Sequence, residues 1–213
     1  MMTVDELRAA SPYSRDFMTC AAVTEALEMH QIAHAIIGGH AMAAYGCVRY
    51  TEDVDVIAAE KQSAAQVIAA ACGHAAAVVQ AGAHAVSVCA ADGRRLVDVL
   101  SMDDGNACRR AVEQQVLRED LPVPPVDVLI ALKFEAMTDL SRPKNRRSLD
   151  LHDIEYLVMT HLTAHVIDDG EVQRRVQGIA DLVESDALGD AERGGKRWLK
   201  LYDDIRSDRD FSK

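Results

Sequence analysis

Aromatic residues are scarce in this sequence: they make up 4% of its 213 positions and include one tryptophan. Alanine is abundant, so we expect a core built mainly of Ala, Val, Leu and Ile side chains. Long hydrophobic runs are also missing, because the longest apolar stretch, residues 67–79, is interrupted by Gly73 and His74 and is too short to span a bilayer. The charged N-terminus lacks the apolar region of a signal peptide, so neither membrane insertion nor export is expected.

Paired cysteines are missing too. The chain has five cysteines, an odd number, spread widely and without a Cys-x-x-Cys pair. This pattern indicates neither a disulfide framework nor a zinc knuckle. Reduced thiols fit it better, which favours a cytoplasmic protein. The five are Cys20, Cys47, Cys72, Cys89 and Cys108.

Positive charge is in short supply, with 23 Lys and Arg against 34 Asp and Glu and a net charge of −11. Phosphate contacts need clustered Lys and Arg, so a broad nucleic-acid-binding face is not expected. One stretch is strongly basic, residues 141–148, Ser-Arg-Pro-Lys-Asn-Arg-Arg-Ser. By default it is a solvated loop, but its contrast with the acidic remainder favours an anionic partner. The proportions of 49% hydrophobic and 27% charged residues are those of an ordinary globular protein.

Apolar spacing predicts an α+β protein with an α/β half, residues 1–121, and a helical half, residues 122–213. Pro122, Pro124 and Pro125 mark the junction. Strands are expected at 35–37, 53–57, 76–79, 85–90 and 95–101, the last two joined by an Asp92-Gly93 turn. Helices are expected at 14–31, after Gly39, and at 61–72, 125–137, 148–161, 171–185 and 190–207, with a possible break at Gly194-Gly195.

The chain is organised around residues 36–57. A short apolar run ends on Gly38 and Gly39, helix formers follow, and Asp53 and Asp55 then alternate with valines. Strand side chains alternate between faces, so both carboxylates point the same way and repel each other unless a cation lies between them. Mg²⁺ takes oxygen ligands of this kind. Glycines at a helix start leave backbone N–H groups open to a phosphate, so the stretch has the outline of a nucleotide site.

A further carboxylate, Asp98, stands alone in the apolar strand Arg95-Leu-Val-Asp-Val-Leu. An isolated charge is costly to bury, so Asp98 either joins a metal site or faces water at a sheet edge.

The order and spacing of these residues carry a family resemblance. Hydrophobic-Gly38-Gly39, thirteen residues, then Asp53-x-Asp55 is similar to the signature of the DNA polymerase β-like nucleotidyltransferase superfamily. The Arg49-x-Thr51 that precedes the carboxylates resembles the branch of minimal nucleotidyltransferases and abortive-infection (type IV toxin–antitoxin) toxins. The resemblance implies a small mixed sheet flanked by helices, followed by a helical C-terminal region. It also implies that Asp98 is the third ligand, with Asp53 and Asp55, for two Mg²⁺ ions.

The helical half resembles the same branch. Lys133, then Arg142-Pro-Lys144, then Asp150-x-x-Asp153 are similar to its helix-borne lysine, basic loop and Asp-x-x-Asp, although residues 145–149 intervene where the branch has none. Lys133 either extends its ammonium group to the surface or meets the nucleotide triphosphate. Asp150 and Asp153 share a helix face, so they can orient Lys133 or a loop arginine through a salt bridge.

The resemblance implies transfer of a nucleoside monophosphate from an NTP to an acceptor hydroxyl, with Lys133 among the catalytic residues. His40 either contacts a phosphate or only begins the helix. The basic stretch binds either the triphosphate or an RNA end. The expected nucleotide-binding residues are Gly38, Gly39, His40, Arg49, Thr51, Arg142, Lys144, Asp150 and Asp153.

The acceptor stays open. An RNA 3′ end, of tRNA or another RNA, is favoured by the basic stretch, while a small hydroxylated molecule such as an aminoglycoside is favoured by the acidic net charge. A protein side chain is a third option. A hypothesis of another class is a non-catalytic, antitoxin-like nucleotide-binding module, and a cognate antitoxin is a possible partner of a toxin.

Three other features have plainer interpretations. His161 and His165 have metal-ligand spacing on a helix, but with no third ligand nearby we expect surface histidines. His152-Asp153 lacks the other histidines of a phosphohydrolase. Trp198, with the apolar residues that share its helix face, is expected to pack that helix onto the body of the protein or onto a partner.

Overall fold

A computed structural model describes residues 19–49, 51, 53–72, 78–82, 84–163, 168–186 and 191–210. Residues 1–18, which include the first part of the helix expected at 14–31, lie outside these ranges, and so does His165. Within them, no helix is both long enough and apolar enough to cross a membrane.

The N-terminal half alternates helices with strands. Its elements are α1 (Cys20–Met29), β1 (His34–Ile37), α2 (Gly38–Ala44), β2 (Val54–Ala58), α3 (Lys61–Ala71), β3 (Val78–Ala81), β4 (Val86–Cys89), β5 (Arg95–Ser101), a 3₁₀ turn (Met102–Asp104) and α4 (Asn106–Glu113). A β6 (Val116–Arg118) and β7 (Leu121–Val123) hairpin follows, and then α5 (Val126–Thr138), α6 (Lys144–Leu157), a π-helical turn (Val158–Leu162), α7 (Asp169–Asp186) and α8 (Ala191–Asp210).

Five strands form one mixed sheet in the order β1-β2-β5-β4-β3. The pair β2–β5 is parallel, and β1–β2, β5–β4 and β4–β3 are antiparallel. The parallel pairing places Asp55 directly opposite Asp98. The α+β class, the mixed sheet and the hairpin at residues 85–101 are thereby confirmed.

The sheet alternates as the sequence predicted. Val54 and Val56 of β2 and Val97 and Val99 of β5 are buried in the core. Small and aliphatic residues of the helices cover this face, among them Ala64, Ala65, Ile68, Ala107 and Ala111. Because the valines occupy one face, the carboxylates at the intervening positions are left on the other. The core is dominated by aliphatic and small side chains, as the composition predicted.

The helical half is organised around α5, which is apolar on most of its surface. Leu129, Ile130 and Phe134 are buried, and α5 packs against α6 and α7. On α8, Trp198 is fully buried and its Nε1 donates to the Val176 carbonyl at 3.0 Å. The expected packing face of the last helix is therefore confirmed.

Two expectations about helices are wrong. Gly194-Gly195 does not break α8, because the packing of its apolar face offsets the cost of about 1 kcal/mol per glycine. The helix expected at 148–161 begins at Lys144, since Pro143 occupies the N-cap position, so much of the basic stretch is helical rather than looped. The first turns of α6 are polar and lack the apolar periodicity on which the expectation depended.

Helix α4 and the β6–β7 hairpin were not predicted. Pro122 lies inside β7, opposite Leu117, in a two-stranded sheet where a missing N–H is tolerated. The hairpin packs beside β1, and the Tyr45 hydroxyl donates to the Pro124 carbonyl at 2.7 Å. The strand expected at 76–79 is described from Val78 onward. The division between residues 121 and 122 stays a prediction.

Candidate active site

Three carboxylates meet on one face of the sheet. Asp53 immediately precedes β2, Asp55 lies within it, and Asp98 faces Asp55 from β5. One oxygen from each of the three lies within 4.8 Å of the other two. We call these three residues the carboxylate cluster. Neighbouring parallel strands therefore bring together side chains that are more than forty positions apart in sequence.

The electrostatics of the carboxylate cluster favour a cation. The pKa of Asp55 is raised from 3.8 to about 6, first by burial and then by the negative charges of Asp53 and Asp98, while Lys133 and Arg142 act in the opposite direction. Oxygen donors at this spacing fit a hard divalent ion. The residues present could therefore hold a metal ion, and its charge would relieve the repulsion that raises this pKa.

Two residues that the sequence analysis missed hold Asp98. The Ser87 hydroxyl donates to Asp98 Oδ1 at 2.5 Å, and Arg95 Nη1 donates to Asp98 Oδ2 at 2.9 Å. Ser87 could have been found, because it alternates with Val86 and Val88 in a strand that pairs with β5. Arg95 offered no such signal, since residues three apart in an ideal strand point to opposite faces.

The two glycines are explained by what lies against them. A Cβ atom at Gly38, whose φ is +63°, would lie 2.0 Å from Asp55 Oδ2. A Cβ atom at Gly39 would lie 2.9 Å from Thr51 Cβ. The Thr51 hydroxyl in turn contacts Asp53 Oδ1 at 3.3 Å. Glycine is therefore required at position 38 by the close approach to Asp55 and at position 39 by the close approach to Thr51.

A network of ion pairs lies beside the carboxylate cluster. Lys133 Nζ contacts Asp153 Oδ2 at 2.7 Å and Asp150 Oδ1 at 3.2 Å. Arg142 Nε donates to Asp150 Oδ2 at 2.8 Å, and Arg49 Nη2 donates to Asp153 Oδ2 at 3.1 Å. We call these five residues the ion-pair network. Lys133, Asp150 and Asp153 are all buried, so Lys133 does not extend its ammonium group to the surface.

The carboxylate cluster and most of the ion-pair network open into a single cleft of about 1190 Å³. Of the predicted site residues, the ones that line it are Gly38, Gly39, Arg49, Thr51, Asp53, Asp55, Asp98, Lys133, Arg142 and Asp150. His40, Lys144 and Asp153 are not among its lining residues. His40 lies in the first turn of α2, and Lys144 begins α6 with its side chain exposed. Arg95, Arg146 and Arg197 also line the cleft.

The expectation of surface histidines is wrong for His161. Its ring is partly buried, edge-on to Tyr45 at 5.2 Å between centroids, and its Nε2 lies 2.7 Å from the Tyr45 carbonyl oxygen. It therefore fastens the π-helical turn to the end of α2. His152 is exposed and lies 3.7 Å from Glu155.

The family model of the nucleotidyl transferase AbiEii toxin of type IV toxin–antitoxin systems matches residues 33–206. Among solved structures, the chain is similar to the antibiotic-resistance factor ANT(2'')-Ia, with 14% identity and a TM-score of 0.45 over 73% of this chain and 85% of that one. No curated protein sequence matches the chain. Because this match spans most of the chain and includes every residue that lines the cleft, the chain belongs to the AbiEii family of nucleotidyltransferase toxins.

Proposed function

We propose that the protein transfers a nucleoside monophosphate from an NTP to an acceptor hydroxyl, in a reaction that depends on Mg²⁺. The observation that carries this proposal is the convergence of Asp53, Asp55 and Asp98 within 4.8 Å in an open cleft. Bound to these carboxylates, two Mg²⁺ ions would supply charge stabilisation for the entering and leaving oxygens of an in-line displacement.

In the proposed reaction, Asp98 accepts the proton of the acceptor hydroxyl. The acceptor oxygen bonds to the α-phosphorus, the bond from that phosphorus to the bridging oxygen breaks, and pyrophosphate leaves. The hydroxyl proton passes to the carboxylate of Asp98. Arg95 and Ser87, which hold both oxygens of Asp98, keep this carboxylate aimed into the cleft.

In the proposed reaction, Lys133 binds the triphosphate. Its ammonium group has three donors, and Asp150 and Asp153 accept from it at 3.2 and 2.7 Å. The remaining donor can meet a phosphate oxygen, since Lys133 lines the cleft. Arg49 and Arg142, which contact the same two aspartates, add positive charge on this side. Asp150 and Asp153 thus act as positioning residues for the three cations.

The acceptor that the cleft favours is an RNA 3′ end. Outside the carboxylate cluster the cleft is lined by six Lys and Arg side chains against four carboxylates. Arg146 and Arg197 belong to this set and come from α6 and α8. A phosphate-bearing acceptor gains from this balance, whereas a polycationic aminoglycoside is repelled by it. The family also leads us to propose a cognate antitoxin as the protein partner and the cytoplasm as the location.

In the test, the purified protein is incubated with labelled NTPs, Mg²⁺ and a mixture of tRNA, aminoglycoside and protein acceptors. The acceptor that becomes labelled is then identified. Asp53→Asn should abolish labelling of every acceptor while thermal unfolding stays that of a folded protein. Asp92→Asn, in an exposed turn away from the cleft, is the matched control and should label at the wild-type rate. Wild-type turnover by Asp53→Asn would overturn the metal assignment. Label on the aminoglycoside alone would overturn the RNA acceptor and leave nucleotidyl transfer in place.

A further inference from the structure

Arg95 lies at the edge of the carboxylate cluster, where its largely exposed side chain forms an ion pair with Asp98. Its side chain is 60% exposed, lines the cleft, and donates from Nη1 to Asp98 Oδ2 at 2.9 Å. The pKa of Arg95 is raised, chiefly by the charge of Asp98 and by the hydrogen bond to it, with a smaller contribution from Asp53. The ion pair and hydrogen bond to Asp98 therefore tie the guanidinium to the carboxylate cluster.

Asp98 is consequently the member of the carboxylate cluster with the best-compensated charge. Ser87 donates to one of its oxygens at 2.5 Å and Arg95 to the other at 2.9 Å. Asp53, by comparison, has a weaker contact with the Thr51 hydroxyl at 3.3 Å. An ion that takes Asp98 as a ligand must share or displace these donors, and it must do so against the positive charge of Arg95.

We propose that Arg95 is a built-in cation of the carboxylate cluster, which competes with a divalent ion for Asp98 and so lowers the metal affinity of the site. The inference rests on the metal site proposed above. A unit positive charge several ångströms from a divalent ion at a solvent-exposed site weakens its binding by about tenfold. By thermodynamic reciprocity, an ion that takes Asp98 loosens Arg95 from it. The loosened guanidinium stays in the cleft, where its planar fork of donors suits a phosphate.

The competition can be measured without any reaction. Mn²⁺ is titrated into the full-length protein, without nucleotide, and the free ion is followed by electron paramagnetic resonance. Arg95→Ala removes the competing charge and should bind Mn²⁺ about tenfold more tightly than the wild type. Arg94→Ala is the matched control, because it removes the same charge from the neighbouring position, where Arg94 pairs with Asp92 at 3.7 Å. Its affinity should stay within about twofold of the wild type.

Arg95→Lys separates the charge from the shape of the side chain. It keeps the positive charge, so its Mn²⁺ affinity should stay near the wild-type value and well below that of Arg95→Ala. Unchanged or weaker binding by Arg95→Ala would overturn the inference, and so would an equal gain in the Lys variant or in Arg94→Ala. If the wild type binds Mn²⁺ and only these comparisons fail, the proposed function stands. No Mn²⁺ binding by any variant would overturn the inference, and the labelling assay with Asp53→Asn would then decide on the proposed function separately.

Discussion

Replacing Gly38 by alanine tests whether the diglycine is there for the sake of the carboxylate cluster. The new Cβ atom would lie 2.0 Å from Asp55 Oδ2, 2.8 Å from its Cγ and 3.0 Å from its Cβ. Ordinary contacts of this kind are about 3.5 Å, so the carboxylate would have to move by more than about 1 Å. The backbone adds its own cost, because φ at this position is +63°.

The magnitude can be separated into two parts. A non-glycine residue with positive φ costs about 1–2 kcal/mol. Moving Asp55 off its rotamer adds about 0.5–1.5 kcal/mol. We therefore expect Gly38→Ala to lower the free energy of unfolding by about 1.5–3.5 kcal/mol. Gly93→Ala is the matched control, because φ at Gly93 is +83° and no atom lies within 4 Å of its Cβ position. It should lose only the backbone part.

The assay is urea unfolding of wild type and both variants in EDTA, followed by Mn²⁺ titration and nucleotidyl transfer. Gly38→Ala should be less stable than Gly93→Ala and should lose most metal binding and turnover, because Asp55 no longer stands beside Asp53 and Asp98. Gly93→Ala should keep both activities. If the two variants lose equal stability and keep equal metal affinity, the contact with Asp55 is not what requires glycine at position 38.

Two further predictions concern the charges of the site. Asp55→Asn should raise the free energy of unfolding at pH 8 in EDTA by up to about 3 kcal/mol, because the pKa of the carboxyl is about 6 when folded against 3.8 otherwise. The gain should vanish as pH falls toward 4, where the wild-type carboxyl is protonated and no longer destabilising; a gain independent of pH in thermal unfolding would contradict this. Lys133→Met should cost about 3–5 kcal/mol in urea unfolding, since it leaves the buried Asp150 and Asp153 with excess charge. Lys144→Met, on the exposed start of α6, should cost little, and a loss below 1 kcal/mol for Lys133→Met would show that the other cations suffice.

Local signals in the sequence were sufficient for part of the site. Asp53 and Asp55 follow from the two-residue period of a strand, and the diglycine follows from the end of an apolar run. Asp98 could be singled out because a lone charge in an apolar strand needs a partner. In each case the informative pattern lies within about eight residues, so a single sequence contains it.

The remainder depended on contacts between distant segments. Nothing local to Lys133 tells whether its ammonium group reaches water, and the answer comes from Asp150 and Asp153 on another helix. The pairing of β2 with β5 across two intervening strands is likewise a property of the whole sheet. Arg95 escaped notice because its partner depends on side-chain reach rather than on strand period.

The charges of the site make two adjacent regions of opposite sign. In the ion-pair network, Lys133 and two arginines face two aspartates, which leaves one positive charge in excess. In the described part of the chain, Arg95 is the one cation that contacts the carboxylate cluster. The three aspartates and this arginine together leave two negative charges. In the proposed reaction, the two Mg²⁺ ions would compensate the second region and the triphosphate the first. The two regions together would therefore suit a metal–triphosphate complex better than either component alone.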